Sequence, residues 1–202
     1  MKIAIIQYNA GNVQSVLYAL QRLGVNALVT DDPGEINRAD KVIFPGVGNA
    51  SSAMEHLKKT GLDEVIVSLR QPVLGICLGL QLMCSKSEEG DTKCLGLFDV
   101  MVKKFQNSLQ NENSDSFKIP HMGWNTITSL SSALFNGVKE NSFVYYVHSY
   151  YAELSSKTIA TTDYIIPYSA AIRHNNFYGV QFHSEKSADT GIQIISNFLK
   201  IE

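Results

Sequence analysis

The segment Pro72-Val73-Leu74-Gly75-Ile76-Cys77-Leu78-Gly79-Leu80-Gln81 constrains the fold of this chain more than any other. Val73 to Ile76 is a short apolar run that suits a buried strand, and Leu78 to Met83 reads as helix. The link between them is Gly-Ile-Cys-Leu-Gly. A strand that turns directly into a helix through Gly-x-Cys-x-Gly has the pattern of a nucleophile elbow. Its glycines allow the tight turn and the strained backbone, and the side chain between them projects from the sheet edge. The Cys77 thiol is thereby expected at a helix N-terminus, where the backbone dipole and free N–H groups favour thiolate. The Leu78 N–H would point at the oxygen of any carbonyl that Cys77 attacks. The competing expectation is an inert cysteine at a strand end, since free cysteine is often buried.

The rest of the first half has the matching rhythm. Lys2 to Tyr8, Ala27 to Thr30, Lys41 to Phe44 and Val73 to Cys77 read as strands. The first helix carries Val16, Leu17, Leu20 and Leu23 at helical spacing, with Asn12 as its cap and Gly24 as its stop. Ser52 to Lys59 and Leu62 to Leu69 read as amphipathic helices. Strand alternating with helix predicts a parallel sheet covered on both faces, an α/β architecture. After residue 90 the pattern changes to strands with short turns: Leu95 to Phe105, Trp124 to Ile127, Phe143 to Tyr151, Thr158 to Thr161, Ala170 to Ile172 and Phe177 to His183. Asn107 to Phe117 reads as a polar surface loop, and Ala188 to Ile201 as the last helix. No linker or repeat divides residues 1–202, so a single domain is expected.

Composition excludes several function classes. The net charge of −2, with both signs mixed along the chain, gives no basic block for nucleic acid. No run approaches the roughly 20 apolar residues of a membrane span. The three cysteines, Cys77, Cys84 and Cys94, are odd in number and form no CxxC pair. They predict neither a disulfide framework nor a zinc site, and no metal or cofactor is expected. A reducing cytoplasm is the expected compartment.

A cysteine nucleophile usually needs a histidine base held by a third group. Of the five histidines, His56 lies on a charged helix face and His174 in a turn. His121 and His148 lie near strands, open to either a core or a site role. His183 ends the run Tyr178-Gly179-Val180-Gln181-Phe182, with Glu185 two residues on. In extended chain such residues point to the same side, so Glu185 could hold one imidazole nitrogen while the other faces Cys77. A second oxyanion donor is expected from Pro45-Gly46-Val47-Gly48, a turn that should end the strand beside the elbow. The same turn also suits a weak phosphate site or a plain tight loop.

Pro45-Gly46-Val47-Gly48, Gly75-Ile76-Cys77-Leu78-Gly79-Leu80-Gln81 and His183-x-Glu185, in this order, resemble the class I glutamine amidotransferases. Gly11-Asn12-Val13-Gln14-Ser15, Ser87-Glu88-Glu89-Gly90, Pro120-His121-Met122-Gly123-Trp124-Asn125, Val147-His148-Ser149-Tyr150 and Glu185-Lys186-Ser187 narrow the likeness. They resemble the glutaminase subunits of imidazole glycerol phosphate synthases, in histidine biosynthesis. The resemblance implies a three-layer sandwich with a central, largely parallel sheet, a flavodoxin-like amidotransferase fold with an antiparallel-rich C-terminal half. It implies a Cys77–His183–Glu185 triad, with Val47, Gly48 and Leu78 forming the oxyanion hole. Gly48, Gln81, Glu89, Ser149 and Tyr150 match family positions around the substrate glutamine. Asn12, Trp124 and Lys186 match the contact with a cyclase subunit, a (β/α)8 barrel that would receive the ammonia.

The chain departs from the family pattern at Gln7, Asn9, Gln14 and Ser184, where Asp, Gly, Arg and Pro are usual. The first three lie around the expected partner face. They leave open a paralogue feeding ammonia to another synthetase, for example one building an amidino group on a surface sugar. A stand-alone cysteine hydrolase and a non-catalytic scaffold are the other readings. The Pro120–Asn125 and Lys186 stretches disfavour the first, and the intact Cys77, His183 and Glu185 disfavour the second.

Overall fold

The computed structural model describes residues 1–8, 12–106 and 117–202. In chain order its first half runs β1 (Ile3–Ile6), α1 (Val13–Arg22), β2 (Leu28–Thr30), α2 (Pro33–Arg38), β3 (Lys41–Gly46), α3 (Ala50–Thr60), α4 (Leu62–Ser68), β4 (Val73–Cys77) and α5 (Leu78–Met83). The second half runs β5 (Lys86–Ser87), β6 (Thr92–Lys93), β7 (Met101–Lys104), β8 (His121–Ile127), β9 (Ser142–His148), β10 (Tyr150–Ala152), β11 (Thr158–Tyr164), β12 (Ile166–His174), β13 (Phe177–Val180) and α6 (Ala188–Lys200).

Seven strands form the central sheet in the order β11-β12-β13-β4-β3-β1-β2. The pairs from β13 to β2 are parallel, while β11 and β12 add antiparallel partners at one edge. The largely parallel core and the antiparallel C-terminal half are thus both present. Two smaller sheets, β10-β7-β5-β6 and β8-β9, flank it.

Alternation along β1 explains the layering. Ile3 and Ile5 enter one apolar core with Val16 and Leu20 of α1 and Ile194, Ile195 and Phe198 of α6. Ala4 and Ile6 enter a second core with Ile36 of α2, Met54 and Leu57 of α3, Ile66 of α4 and Leu80 and Met83 of α5. A strand buried on both faces reads as an unbroken apolar run, which is why these strands stand out in the sequence. No helix among the described residues is long and apolar enough to cross a membrane.

Several sequence expectations are corrected. β1 is shorter than Lys2–Tyr8, with Tyr8 in an isolated bridge. Asn12 precedes α1, yet its side chain makes no cap hydrogen bond. Within Leu95–Phe105 only Met101–Lys104 is strand; Phe98 and Val100 are buried through turns instead. Phe143–Tyr151 divides into β9 and β10, which join different sheets. The Phe177–His183 strand stops at Val180. Helix α2 was unforeseen, although Asp32 caps it by accepting from the Glu35 N–H at 2.7 Å and Pro33 occupies its first turn. Residues 107–116 of the expected Asn107–Phe117 loop lie outside the described residues, as do Gly11 and Asn9.

Candidate active site

Cys77 closes β4 and opens α5. Its backbone adopts φ 55°, ψ −108°, a conformation that costs a non-glycine residue about 1–3 kcal/mol and concentrates at functional sites. The elbow glycines allow the tight turn by their small size rather than by their own torsions, because neither Gly75 nor Gly79 has positive φ. A Cβ on Gly79 would lie 1.9 Å from the Phe44 carbonyl oxygen, and one on Gly75 would lie 2.9 Å from the Gly79 backbone. They let α5 lie directly against β3 and β4, and the strain falls on Cys77 itself. Gly46 stands opposite Cys77 in the β3–β4 register, so the turn that follows it borders the elbow as the sequence suggested. Gly48 there has φ 107°.

His183 lies three residues beyond β13 and is buried, its backbone N–H donating to the Tyr145 carbonyl at 2.9 Å. Its Nδ1 pairs with Glu185 Oε1 at 2.8 Å. The expected extended geometry is corrected here. Residues Ser184–Lys186 form a single 3-10 turn, closed by the Lys186 N–H donating to the His183 carbonyl. This turn, not strand alternation, brings the carboxylate under the imidazole. With Nδ1 engaged, Nε2 is left for the Cys77 sulfur. Burial by itself would lower the His183 pKa; hydrogen bonds to Cys77 and Glu185, with the charges on both, outweigh it and push the imidazole up to about 10. The second Glu185 oxygen, Oε2, and the Ser184 hydroxyl are buried and have no hydrogen-bond partner among the described residues.

Cys77 and His183 open on a cavity of about 370 Å³, lined also by Val47, Gly48, Leu78 and Lys186. Gln81, Glu89, Ser149 and Tyr150 line it as well. All five residues expected near a substrate are therefore brought together. Two of them are already engaged. Gln81 is buried, and its Nε2 donates to the Tyr150 carbonyl at 2.9 Å and to Gln181 Oε1 at 3.0 Å. Glu89 Oε2 accepts from the Ala50 N–H at 2.7 Å, capping α3. Of the three residues expected at a partner contact, only Lys186 lines this cavity. Trp124 stands on β8, 52% exposed and edge-on to Tyr145, and Asn12 sits at the start of α1.

Three residues were missed or left open by the sequence. Gln181 Nε2 reaches Cys77 Sγ at 3.8 Å. The Tyr8 hydroxyl donates to the Pro45 carbonyl at 2.8 Å, bracing the end of β3; burial, and then the charge of Cys77, hold that phenol far above its usual range. His148 lines the cavity, with Nδ1 on the Tyr150 carbonyl at 2.8 Å and Nε2 near the Tyr168 hydroxyl and His121 at 3.2 Å each. Burial drives His148 down to about 3 and His121 to about 4. Both are held neutral; His121 is a core imidazole, whereas His148 is buried yet also lines the cavity. No local pattern marks Gln181 or Tyr8, whose partners lie 104 and 37 residues away, and the Nε2 partners of His148 lie 20 and 27 residues away.

The constellation is a thiol, an imidazole and a carboxylate at a strained strand–helix turn, facing a cleft suited to a small polar molecule. Comparison with known proteins agrees with it. Residues 4–201 match the family model described as glutamine amidotransferase class-I. The chain is 58% identical, over the full length of both chains, to imidazole glycerol phosphate synthase subunit HisH of Bacteroides fragilis. It is 56% identical to the subunit of that name from Bacteroides thetaiotaomicron and 43% identical to the one from Yersinia pseudotuberculosis, again over full length. In fold it is similar to a glutamine amidotransferase from Thermotoga maritima, with TM-score 0.61, 18% identity, and coverage of 99% of this chain and 83% of that one. It is likewise similar to a chain of PurLQS from Thermotoga maritima, with TM-score 0.69, 15% identity, and coverage of 98% and 97%. The chain belongs to the class I glutamine amidotransferase family, and within it to the imidazole glycerol phosphate synthase HisH subunits.

Proposed function

We propose that this chain hydrolyses glutamine to glutamate and ammonia as the glutaminase subunit of an imidazole glycerol phosphate synthase, in histidine biosynthesis. The observation that carries this reading is that His183, held by Glu185 through a buried 2.8 Å hydrogen bond, shares one cavity with Cys77. Glu185 fixes the imidazole tautomer with Nδ1–H, and Nε2 exchanges a proton with the thiol. The Cys77 sulfur attacks the side-chain amide carbon, forming a C–S bond and a tetrahedral oxyanion. The backbone N–H groups of Leu78 and of the Val47–Gly48 turn hold that oxygen; each such donor is typically worth about 3–4 kcal/mol in the transition state. His183 then protonates the departing nitrogen, the C–N bond breaks, and a thioester remains. His183 next takes a proton from water, which attacks the thioester and releases glutamate and free thiol. Gly48, Gln81, Glu89, Ser149 and Tyr150 surround the glutamine head group.

The ammonia passes to a cyclase subunit, a (β/α)8 barrel, in a heterodimer working in the cytoplasm. A sheltered transfer is needed because ammonia released to neutral water is mostly protonated, and ammonium has no lone pair to react with. Met122 and Trp124 on β8 and Phe143 on β9 are large apolar side chains at 63%, 52% and 58% exposure. Such an uncovered patch marks a protein contact, and it adjoins the cavity because Val147, a cavity residue, pairs with Met122 across the hairpin. Asn12, Trp124 and Lys186 belong to this contact. The test is Cys77→Ala in the two-subunit complex. Glutamine-dependent ammonia release should vanish while synthesis from added ammonium salt persists; glutamine turnover surviving in that variant would reject the mechanism.

A further inference from the structure

We propose that Gln181 is a positioning residue that holds the Cys77 sulfur in its deprotonated, reactive form. This inference rests on the reading of Cys77 as the nucleophile. Gln181 follows β13 directly, is fully buried, and is anchored by its backbone N–H on the Ala170 carbonyl at 2.8 Å. The orientation of its carboxamide follows from a chain of contacts. The Tyr150 carbonyl can only accept, so Gln81 must present its NH2 there, at 2.9 Å. The same NH2 lies 3.0 Å from the Gln181 carboxamide, which must therefore present its oxygen. The Gln181 NH2 is left facing Cys77 Sγ at 3.8 Å. One backbone carbonyl thereby fixes the direction of two buried amides.

The sulfur has neighbours of opposite character. A thiol has one proton to give, and the Val147 carbonyl lies 3.9 Å away to receive it. A thiolate has none, and accepts from Gln181 and from His183. The Gln181 contact therefore favours the anion, and a hydrogen bond to a charged acceptor is roughly twice as strong as one between neutral groups. The thiolate is the nucleophile, so the benefit falls on the attacking species. A consequence for the substrate follows. Both Gln81 N–H groups are committed, so Gln81 has only Oε1 to offer a ligand.

The experiment is alkylation of Cys77 by iodoacetamide as a function of pH, together with glutaminase turnover in the two-subunit complex, for wild type, Gln181→Met and the isosteric Gln181→Glu. Gln181→Met should alkylate about tenfold more slowly near neutral pH, with the deficit closing as pH rises; Gln181→Glu should be slower still. Ammonium-dependent synthesis should stay at the wild-type level in both. A folded variant with the wild-type alkylation profile would overturn the inference. If neither variant folds, the side-chain amide resonance of Gln181 in the wild-type protein decides: it must titrate together with Cys77 alkylation, and a pH-invariant resonance refutes the contact. Failure of the underlying reading looks different, because glutamine turnover would then survive Cys77→Ala.

Discussion

His148 makes the protein acid-sensitive in a way that can be isolated from its other titrating groups. Its side chain is buried, its Nδ1–H donates to the Tyr150 carbonyl, and its pKa falls to about 3. A histidine in the unfolded chain titrates near 6.5. The unfolded state therefore takes up a proton as pH falls below about 6.5, and the folded state refuses one until about 3. Stability is lost progressively across that window, at about 1.36 kcal/mol per pH unit. At pH 5 the interval of roughly 1.5 units amounts to about 2 kcal/mol. His121 acts in the same direction. His183 acts oppositely: its raised value contributes stability that is complete below about 6.5 and fades as pH climbs toward 10. Comparing wild type with His148→Asn largely cancels both of these, leaving only their coupling to His148. Asn keeps a donor for Tyr150 and does not titrate. Urea unfolding at pH 7 and pH 5 should show wild type losing about 2 kcal/mol more than the variant. Equal losses would refute the claim that His148 is held neutral in the fold.

Three further outcomes follow from the same geometry. Glu185→Gln removes the charge that orients His183 and stabilises its protonated form; a positioned acid–base typically contributes about 10²–10⁴-fold, so glutamine turnover should fall by roughly two to four orders of magnitude, measured as glutamate release with the fold checked by circular dichroism. Ser184→Ala deletes a buried hydroxyl with no partner among the described residues and should raise stability by about 1 kcal/mol in a denaturant titration; a loss of that size would mean that the hydroxyl is satisfied. Gly79→Ala places a methyl 1.9 Å from the Phe44 carbonyl oxygen and should lower the melting temperature by about 5–10 °C; an unchanged melting temperature would show that α5 does not lie against β3 as described.

The legibility of the sequence divides along a physical line. Val73–Cys77 and Leu78–Met83 appear in the structure with the boundaries read from the sequence, because a strand buried on both faces and a following helix are written in neighbouring residues. Helix α2 carries a local signal too, Asp32-Pro33, a cap followed by a first-turn proline. Leu95–Phe105 misleads for the opposite reason. Residues 95–100 hydrogen-bond irregularly to the end of α5 and the residues after it instead of forming a ladder, and apolar content alone does not distinguish that from a strand.

The site divides in the same way. Cys77, the glycines beside it and the His183-x-Glu185 spacing are visible in the residues and in their family likeness, because each is a short pattern. The geometry expected for the histidine–carboxylate pair is not the one found, since a 3-10 turn makes the contact that extended chain was expected to make. Only the fold decided that Gln81 spends its amide on the framework and that His148 is neutral. Gln181 meets Cys77 across 104 positions of chain, and burial of His148 depends on strands from three different stretches. Local chemistry is encoded in consecutive residues, whereas desolvation and long-range hydrogen bonding exist only once distant segments have closed over one another.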